Sequence, residues 1–369
     1  MNKKMHFGIM LTLLSISILT LVLEVQPVGS KSEPFYTPHD PITILSDSDF
    51  TPTNGVLSGS GTAKDPYVIS GWNITGGEVG IRIAGTTKHF LIRNNWVANA
   101  SFLGINVNWV AEGTCEVSHN IVRFIEGSGI PVSNTARALI HHNDVQFCKA
   151  SGICLGGCSF CEVSHNIARH NNWQPHGLHA GIYVDWSCNN TITDNYVDSN
   201  APWVGLGIFI IRWSHYNLVS RNVVSNNNVG IQIDTYSVGN TIDRNIVIRN
   251  VHNGIGIVLK SESNIVQKNV VFSNGWAGVE VHNSSESLIF GNRIAGNLDG
   301  IRILWSHDNI VRKNKAENNT RYGIAVMMWS DRNVVEKNKA VRNGEFDLYW
   351  DITGVDNVWE KNIYKTKSW

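Results

Sequence analysis

Short stretches in which apolar and polar residues alternate recur along almost the whole chain. One repeat contains residues 230–233 (Gly-Ile-Gln-Ile), 241–243 (Thr-Ile-Asp) and 246–248 (Ile-Val-Ile), with Asn, Ser and Gly between them. An apolar period of two predicts strands, here of about three to five residues, separated by turns. A helix is excluded, because helices need a period of about 3.6 and disfavour Asn, Gly and β-branched residues.

Four kinds of residue recur once in most repeats and define columns. The first column has twelve Asn, spaced by 22 to 29 residues: Asn95, Asn120, Asn143, Asn166, Asn195, Asn222, Asn245, Asn269, Asn292, Asn314, Asn338 and Asn362. The second column has Asn171, Asn200, Asn227, Asn250, Asn274, Asn297, Asn319 and Asn343. A Gly-Ile pair lies between these columns, and a Ser column has Ser187, Ser214, Ser237, Ser261, Ser284, Ser306 and Ser330. Such a period predicts a solenoid.

Stacked coils would bury the residue that follows each Gly. The predicted interior column has Ile81, Ile105, Ile130, Ile153, Ile182, Ile208, Ile231, Ile255, Val279, Ile301, Ile324 and Phe346. At a strand spacing of about 4.8 Å, twelve coils would form a cylinder roughly 55 to 60 Å long. We expect the Asn side chains to hydrogen-bond from coil to coil, which assigns them a structural role.

The chain is expected to have four segments. Residues 1–30 carry Lys3 and Lys4 and then an apolar run, as in a secretory signal peptide that is cleaved near Ser30; an uncleaved anchor is the alternative. Residues 31–79 are expected to form a lead-in and a short N-terminal β cap, residues 80–364 the solenoid, and residues 365–369 a C-terminal tail. No membrane span is expected after signal cleavage.

The charge balance disfavours two classes of partner. Lys+Arg and Asp+Glu number 30 each, so no long-range field favours nucleic acid or an anionic membrane. The basic residues between Arg312 and Arg342 are interspersed with Glu317, Asp331 and Glu336, which indicates a solvated mixed-charge face.

From Pro41 to Tyr364 the columns resemble those of right-handed parallel β-helix repeat proteins. The group includes the NosD-like copper-associated accessory protein of nitrous oxide reductase and the carbohydrate-binding and sugar-hydrolase (CASH) repeats. The lead-in through residues 59–62 (Gly-Ser-Gly-Thr) and 65–69 (Asp-Pro-Tyr-Val-Ile) is similar to that of archaeal surface members. The resemblance implies an all-β, single-stranded, right-handed parallel β-helix of about twelve coils. It implies little about activity, because one fold supports many functions.

One exterior stripe is the candidate catalytic site. It carries Tyr183, Asp185, Phe209, Arg212, Gln232, Asp234, Lys260, Glu280, His282 and Arg302. Asp185 and Asp234, two coils or about 9 to 10 Å apart, suit an inverting pair of carboxylates, and Asp234 to Glu280 is expected to be a similar span. Alternatively, Lys260 or His282 as base and Tyr183 as acid would suit lyase or epimerase chemistry. The competing interpretation is an ordinary polar face in water.

A row of aromatic residues is the candidate substrate-binding corner. It has Trp186, Trp213, Tyr236, Trp305 and Trp329, interrupted by Lys260 and Asn283, with Arg212 beside it. Flat exposed rings suit stacking on pyranose faces. Stacking of the rings on one another for stability is the alternative.

A Cys/His cluster surrounds the longest repeat, residues 166–190. His170, Trp173, His176 and His179 lie in this insertion, and the six cysteines are Cys115, Cys148, Cys154, Cys158, Cys161 and Cys188. Copper or zinc could bind there, but export favours disulfides or inert thiols. Cys115 and Cys161 share a column two coils apart, which is too far for a direct bond.

Three functions therefore remain open. The first is a secreted or cell-surface protein that binds a polysaccharide or surface glycan along the exterior face and the aromatic corner, without a cofactor. The second is a polysaccharide lyase, epimerase or hydrolase. The third is a copper-handling accessory protein.

Overall fold

The computed structural model describes residues 36–172, 177, 179–200 and 205–369. In these ranges the chain winds through three long sheets, and each coil adds one short strand to each sheet. Neighbouring strands are parallel, as in the pairing of Ala180–Asp185 with Leu206–Ile211; Val56–Ser58 and Tyr67–Ser70 form an antiparallel pair. The predicted all-β parallel solenoid of about twelve coils is confirmed.

The strands are grouped by sheet, each in spatial order. Sheet 1 contains Thr37–Pro38, Trp72–Thr75, Trp96–Ala98, Ile121–Arg123, Asp144–Gln146, Ile167–Arg169, Tyr196–Asp198, Val223–Ser225, Ile246–Ile248, Val270–Phe272, Arg293–Ala295, Lys315–Glu317 and Lys339–Val341. Sheet 2 contains Ile42–Ile44, Val79–Ala84, Leu103–Asn108, Ile130–Ser133, Ile153–Gly156, Ala180–Asp185, Leu206–Ile211, Val229–Ile233, Ile255–Val258, Ala277–His282, Asp299–Leu304, Tyr322–Met327 and Phe346–Trp350. Sheet 3 contains Val56–Ser58, Tyr67–Ser70, Phe90–Arg93, Cys115–Ser118, Leu139–His141, Glu162–Ser164, Thr191–Thr193, Leu218–Ser220, Thr241–Asp243, Ile265–Gln267, Leu288–Phe290, Ile310–Arg312, Val334–Glu336 and Val358–Glu360. Two short 3-10 helices, Asp47–Asp49 and Pro52–Asn54, precede the first complete coil.

The interior column is in the predicted register. Ile182, Ile208 and Ile231 are direct partners on successive coils, and all three are fully buried. The preceding Gly is required by packing, since a Cβ at Gly230 would lie 2.4 Å from Val247 Cγ1 and 2.5 Å from the carbonyl oxygen of Gly254. Residues that share a repeat position therefore lie over one another.

The assignment of Phe346 to the interior column is wrong. Leu348, and not Phe346, is the partner of Ile324, while Phe346 pairs with Tyr322 and is half-buried. In this last coil Asp347 stands where the other coils have Gly, so the sequence signal that marks the register is missing.

The Asn columns form continuous ladders through the cylinder. In the first column each Asn Nδ2 donates to Oδ1 of the Asn on the next coil, at 2.9 to 3.1 Å from Asn95 to Asn362. The second column does the same at 2.9 to 3.2 Å. In the Ser column, each backbone N–H donates to the next Ser Oγ at 3.1 to 3.3 Å. The predicted structural role of the two Asn columns is confirmed.

A third amide ladder was not predicted. It contains Asn190, Asn217, Asn240, Asn264, Ser287, Asn309, Asn333 and Asn357. It lies just before the strands of sheet 3, so all three turns of the coil have a polar ladder. These ladders supply partners for buried polar groups that the turns would otherwise leave unpaired.

The ends of the solenoid differ from the predicted boundaries. The expected start at residue 80 falls within the strand Val79–Ala84, and Trp72–Thr75 already belongs to the parallel stack. At the other end, residues 365–369 pack on the last coil, because Thr366 Oγ1 accepts from Asp347 N–H and Ser368 Oγ accepts from Trp350 N–H. The expected signal peptide, residues 1–30, lies outside the described residues. Within the described ranges, no helix has the length and apolar character for a membrane crossing.

Candidate functional site

The exterior face of sheet 2 is built from two outward columns. The first contains Tyr183, Phe209, Gln232, Gly256, Glu280 and Arg302. The second contains Asp185, Ile211, Asp234, Val258, His282 and Leu304. Asp234 and Glu280 therefore belong to different columns, whereas Asp185 and Asp234 share one. Arg212 and Lys260 lie beyond the strands, in the turns, with φ of 51° and 58°.

The Asp185 carboxylate forms an ion pair with an arginine from the next coil. Arg212 Nε donates to Asp185 Oδ1 at 2.7 Å, and its Nη2 donates to Asp185 Oδ2 and to Tyr183 Oη, the latter at 2.9 Å. Burial, with the nearby Asp185 carboxylate, raises the pKa of Tyr183 to about 12. A Tyr with this pKa keeps its proton at neutral pH and is a weak acid.

Both carboxylates of the predicted catalytic pair have hydrogen-bond partners in the protein. Asp185 and Asp234 share a column two coils apart, but Ile211 lies between them. The two oxygens of Asp234 accept from Gln232 Nε2 at 2.7 Å and from Thr235 Oγ1 at 2.8 Å. All four carboxylate oxygens thus have partners, and hydrolysis by this pair stays a prediction.

The exterior face is apolar and buried next to Asp185. Ala180, Leu206, Phe209 and Ile211 form a second hydrophobic cluster, and Phe209 has no exposed surface although its neighbours Ile208 and Ile210 fill the interior. A ligand cannot reach a fully buried ring, so Phe209 itself offers no binding surface.

The residues proposed for lyase or epimerase chemistry are also separated. Tyr183 is four coils from the strand of His282, which corresponds to about 19 Å at the usual strand spacing. Lys260 lies at the corner with its Nζ 5.8 Å from the ring centroid of Tyr236, and His282 packs on Trp305 at 5.1 Å. The structure does not bring the proposed acid and bases together.

A pocket of about 350 Å³ opens near the first residues of the later sheet 2 strands. Its lining includes Asn228, His252, Asn253, Trp276, Glu280 and Arg302. Arg302 Nε donates to Glu280 Oε2 at 2.8 Å, and Asn253 Nδ2 donates to Glu280 Oε1 at 3.1 Å. The guanidinium also lies 5.1 Å from the ring centroid of Trp276. We call this site the Trp276 pocket.

Buried charges support the floor of the Trp276 pocket. Asp299 is fully buried and receives Arg321 Nε at 2.9 Å and Nη2 at 2.5 Å. Arg302 Nη1 lies 3.6 Å from Asp299 Oδ2, so the two arginines and two carboxylates form one network. Such buried groups are stable only while each keeps its partner.

The aromatic corner is a real stack over three coils. The rings of Trp186 and Trp213 are 6.4 Å apart and inclined by 21°, and those of Trp213 and Tyr236 are 5.0 Å apart and inclined by 14°. Trp186, Trp213 and Tyr236 remain 58%, 47% and 40% exposed. Trp305 and Trp329 continue the corner after Lys260 and Asn283, and both are exposed. The rings thus stack on one another and still present a surface to solvent.

The cysteines are free thiols and do not converge on a metal site. Cys154 points outward from sheet 2, whereas Cys161 is buried in the column of Cys115. Burial raises the pKa of Cys154 to about 11 and that of Cys148 to about 12, so neither is a thiolate at neutral pH. Trp173 and His176 lie outside the described residues. Among the residues that are described, no group of three or more His, Cys, Asp or Glu side chains is placed to hold a metal ion.

The repeat and its geometry can be compared with known proteins. The family model described as "Right handed beta helix region" matches residues 54–224, 128–286 and 244–365. This chain belongs to the right-handed β-helix family. The predicted resemblance is confirmed at this level, and a closer relation to the NosD-like group stays a prediction. No curated protein sequence matches this β-helix.

Solved structures share the fold at low sequence identity. The A-module of mannuronan C-5 epimerase AlgE4 from Azotobacter vinelandii is 13% identical, over 90% of this chain and 90% of that chain, with a TM-score of 0.53. A mutant of the periplasmic alginate epimerase AlgG is 16% identical, over 87% of this chain and 84% of that chain, with a TM-score of 0.50. At such identities the likeness establishes the fold and no activity.

The Trp276 pocket was not predicted from the sequence. Asn228, His252, Asn253 and Trp276 lie between the second Asn column and the Gly of the next strand, where the repeat carries no conserved spacing signal. The one available sign was the length of this turn. Three residues separate the Asn of the second column from Gly254 and from Gly278, but only two separate it from Gly230.

A histidine stack on sheet 3 of the β-helix was also missed. The rings of His119, His142 and His165 are parallel, with centroids 4.8 and 4.9 Å apart, and His141 lies edge-on to His142. Burial, together with the neighbouring imidazoles, lowers the pKa of His119 and of His142. Parallel rings direct their nitrogens side by side and not toward one point, so this stack is not a chelating site.

Proposed function

We propose that this β-helix is an exported protein that binds a polysaccharide along the exterior face of sheet 2 and the aromatic corner. The observation that carries the proposal is the stack of Trp186, Trp213 and Tyr236, whose rings repeat at the coil spacing and remain exposed. A row of large exposed rings is unusual on a protein surface and indicates a binding site.

The chemistry of the corner suits a sugar chain. Aromatic rings offer flat apolar surfaces for the C–H faces of pyranoses, and Trp and Tyr add a polar atom at the edge. Lys260 follows Tyr236 along the corner and can donate to hydroxyl or carboxylate oxygens. A linear polymer with repeating rings matches a protein surface that also repeats.

The exposed rings run along the corner from Trp186 to Trp329. Next to Asp185 the outward ring of Phe209 is buried, but the side chain of Arg212 is 47% exposed. The later coils add His282, which is partly exposed, and the Trp276 pocket. These exposed groups support binding along the corner and the face beside it.

The comparisons support a polysaccharide as the ligand, without a choice among sugars, and leave catalysis as the alternative. Two solved structures with this fold are named as alginate and mannuronan epimerases. In this chain the proposed acids and bases are either paired with other side chains or several coils apart. Binding without cleavage is therefore the function that we propose.

Export is proposed from residues 1–30. A basic start followed by an uncharged apolar run is typical of a secretory signal peptide. N-terminal sequencing of protein recovered from the culture medium is expected to begin near residue 31. A chain that retains Met1 in the cell membrane would contradict cleavage.

Affinity electrophoresis through gels that contain neutral or uronate polysaccharides tests the binding proposal. The double variant Trp213→Ala/Tyr236→Ala should bind at least about tenfold more weakly, a loss of about 1.4 kcal/mol. The matched control is Phe124→Ala/Phe147→Ala, because these rings are stacked 5.2 Å apart and exposed at a different corner. The control should keep the full retardation.

Two outcomes would overturn the proposal. One is the absence of retardation by every polysaccharide in the panel. The other is release of reducing ends, unsaturated sugars or epimerised units, abolished by Asp234→Asn, which would establish the catalytic alternative.

A further inference from the structure

The Trp276 pocket combines an exposed aromatic ring with buried polar groups at a place separate from the aromatic corner. It lies where the sheet 2 strands begin, whereas the corner lies where they end. The pocket extends into the strands as far as Glu280 and Arg302, which lie three residues, or about 10 Å, before the corner, and the stacked rings belong to coils before these two residues. A single ligand group in the pocket would therefore not contact the stacked rings.

We propose that the Trp276 pocket binds one uncharged pyranose unit, and that it excludes uronates. This inference rests on the proposed function, since it assigns a sugar class to one subsite of the same glycan-binding surface. It adds a specificity that the aromatic corner cannot supply, because ring stacking alone is tolerant of the substituents on a sugar.

The size and the wall of the pocket suit one sugar ring. Its volume of about 350 Å³ is at the small end of the range for small-molecule sites. Trp276 is 43% exposed, and the Arg302 guanidinium against its ring fixes the indole in place. A fixed ring that is still exposed can stack on a pyranose without a large cost in side-chain entropy.

Hydrogen-bonding groups remain for the hydroxyls of the sugar. Glu280 Oε1 accepts from Asn253 Nδ2, and a carboxylate oxygen can accept a further hydrogen bond. Asn228 Oδ1 contacts His252 Nδ1 at 2.5 Å, which leaves Asn228 Nδ2 and His252 Nε2 without a partner in the described residues. The pocket thus offers acceptors and donors together, as hydroxyl groups require.

The charges around the pocket are already balanced. Arg302 directs Nε and Nη2 to Glu280, and its third nitrogen faces Asp299. Glu280 and Arg302 are only 6% and 8% exposed, so neither can turn toward solvent to meet a new charge. A sugar carboxylate would lie beside Glu280 with no free cation to offset it, which is unfavourable in a partly buried site.

The test uses methyl glycosides of glucose, galactose and mannose against those of glucuronic and galacturonic acid, with binding followed by saturation-transfer NMR and by Trp fluorescence. The full chain should bind at least one neutral glycoside at least about tenfold more tightly than its uronate. Trp276→Ala should weaken that binding at least about tenfold, and the control Trp109→Ala, at an exposed ring seven coils away, should not change it.

A second variant tests the charge argument. Glu280→Gln keeps the shape and frees Arg302, so the ratio of uronate to neutral affinity should rise at least about tenfold. Its thermal midpoint is measured in parallel to confirm that it is folded. Preference for uronates in the unaltered chain, or equal binding by Trp276→Ala and Trp109→Ala, would overturn the inference. If either result is found and a polysaccharide still retards the unaltered chain, the inference fails and the proposed function stands. If no polysaccharide retards the unaltered chain, the proposed function itself is overturned.

Discussion

Two stretches of the same exterior face differ although their backbones repeat. On the strands Ala180–Asp185 and Leu206–Ile211, the outward residues Phe209 and Ile211 are buried and apolar. On the strands Ala277–His282 and Asp299–Leu304, the same positions hold Glu280, His282, Arg302 and Leu304, and a pocket opens beside the charged pair. The interior residues and the ladders continue through both stretches. The ladders therefore fix where a residue lies, and the outward residues decide whether a coil offers packing or a site.

The largest effect should come from substituting a buried residue of the first outward column, compared with a partly exposed residue one coil later. Phe209→Ala removes a fully buried ring and should destabilise the fold by about 3–5 kcal/mol. Gln232→Ala, one coil later in the same column, removes a partly exposed side chain and one hydrogen bond to Asp234, and should cost about 1 kcal/mol or less. Denaturant unfolding measures both. Equal losses would show that the two positions of this column do not differ in burial.

The next largest loss of stability should come from breaking the buried ion pair of the face, compared with breaking the exposed one. Glu280→Ala leaves Arg302 buried without its main partner and should cost about 3 kcal/mol or more. Asp185→Ala frees Arg212, whose side chain is 47% exposed, and should cost about 1 kcal/mol or less. Thermal melts of the two variants give the comparison. A larger loss for Asp185→Ala would contradict the assignment of the buried network to the pocket.

Removing one amide from the first Asn ladder should lower the stability of the fold equally in both stretches. Asn195→Ala and Asn269→Ala each remove one amide from the first ladder and leave neighbouring groups unpaired, at a cost of about 1–3 kcal/mol. The two losses, measured by denaturant unfolding, should agree within about 0.5 kcal/mol. A marked difference would mean that the exterior residues also control the backbone.

The smallest effect concerns pH and the histidine stack of sheet 3. The pKa of His142 is lowered from 6.5 by burial and then by His119, His165 and His141. The unfolded chain therefore takes up this proton at a higher pH than the folded chain, so stability is complete above about pH 6.5 and falls as the pH drops below it. His142→Gln should reduce the fall in thermal midpoint between about pH 7.5 and about pH 5. His252→Gln is the control, and an equal reduction in that variant would contradict the role of the stack.

The repeat itself could be predicted because its signals are local. The Asn and Gly-Ile columns mark the register in nearly every coil, and they fail in the last coil, where Asp347 replaces Gly and the column shifts from Phe346 to Leu348. The aromatic corner was found by the same counting, since its residues share one repeat position.

The contacts of the exterior face could not be predicted in this way. The pairing of Arg212 with Asp185 joins a turn to a strand on the previous coil, and the burial of Phe209 depends on tertiary packing. Trp276 lies in a turn of variable length, so it belongs to no column. Repeat position predicts which residues are near, but it does not predict which side chains pair or which are covered.

The most direct measurement of glycan binding at this face is hydroxyl-radical footprinting with mass spectrometry, on the full chain with and without the polysaccharide that retards it. Trp213, Tyr236 and Trp305 should be oxidised several-fold more slowly in the complex, while Phe124, exposed at a different corner, should be oxidised at an unchanged rate. Unchanged oxidation of Trp213 and Tyr236 at a saturating polysaccharide concentration would contradict the account.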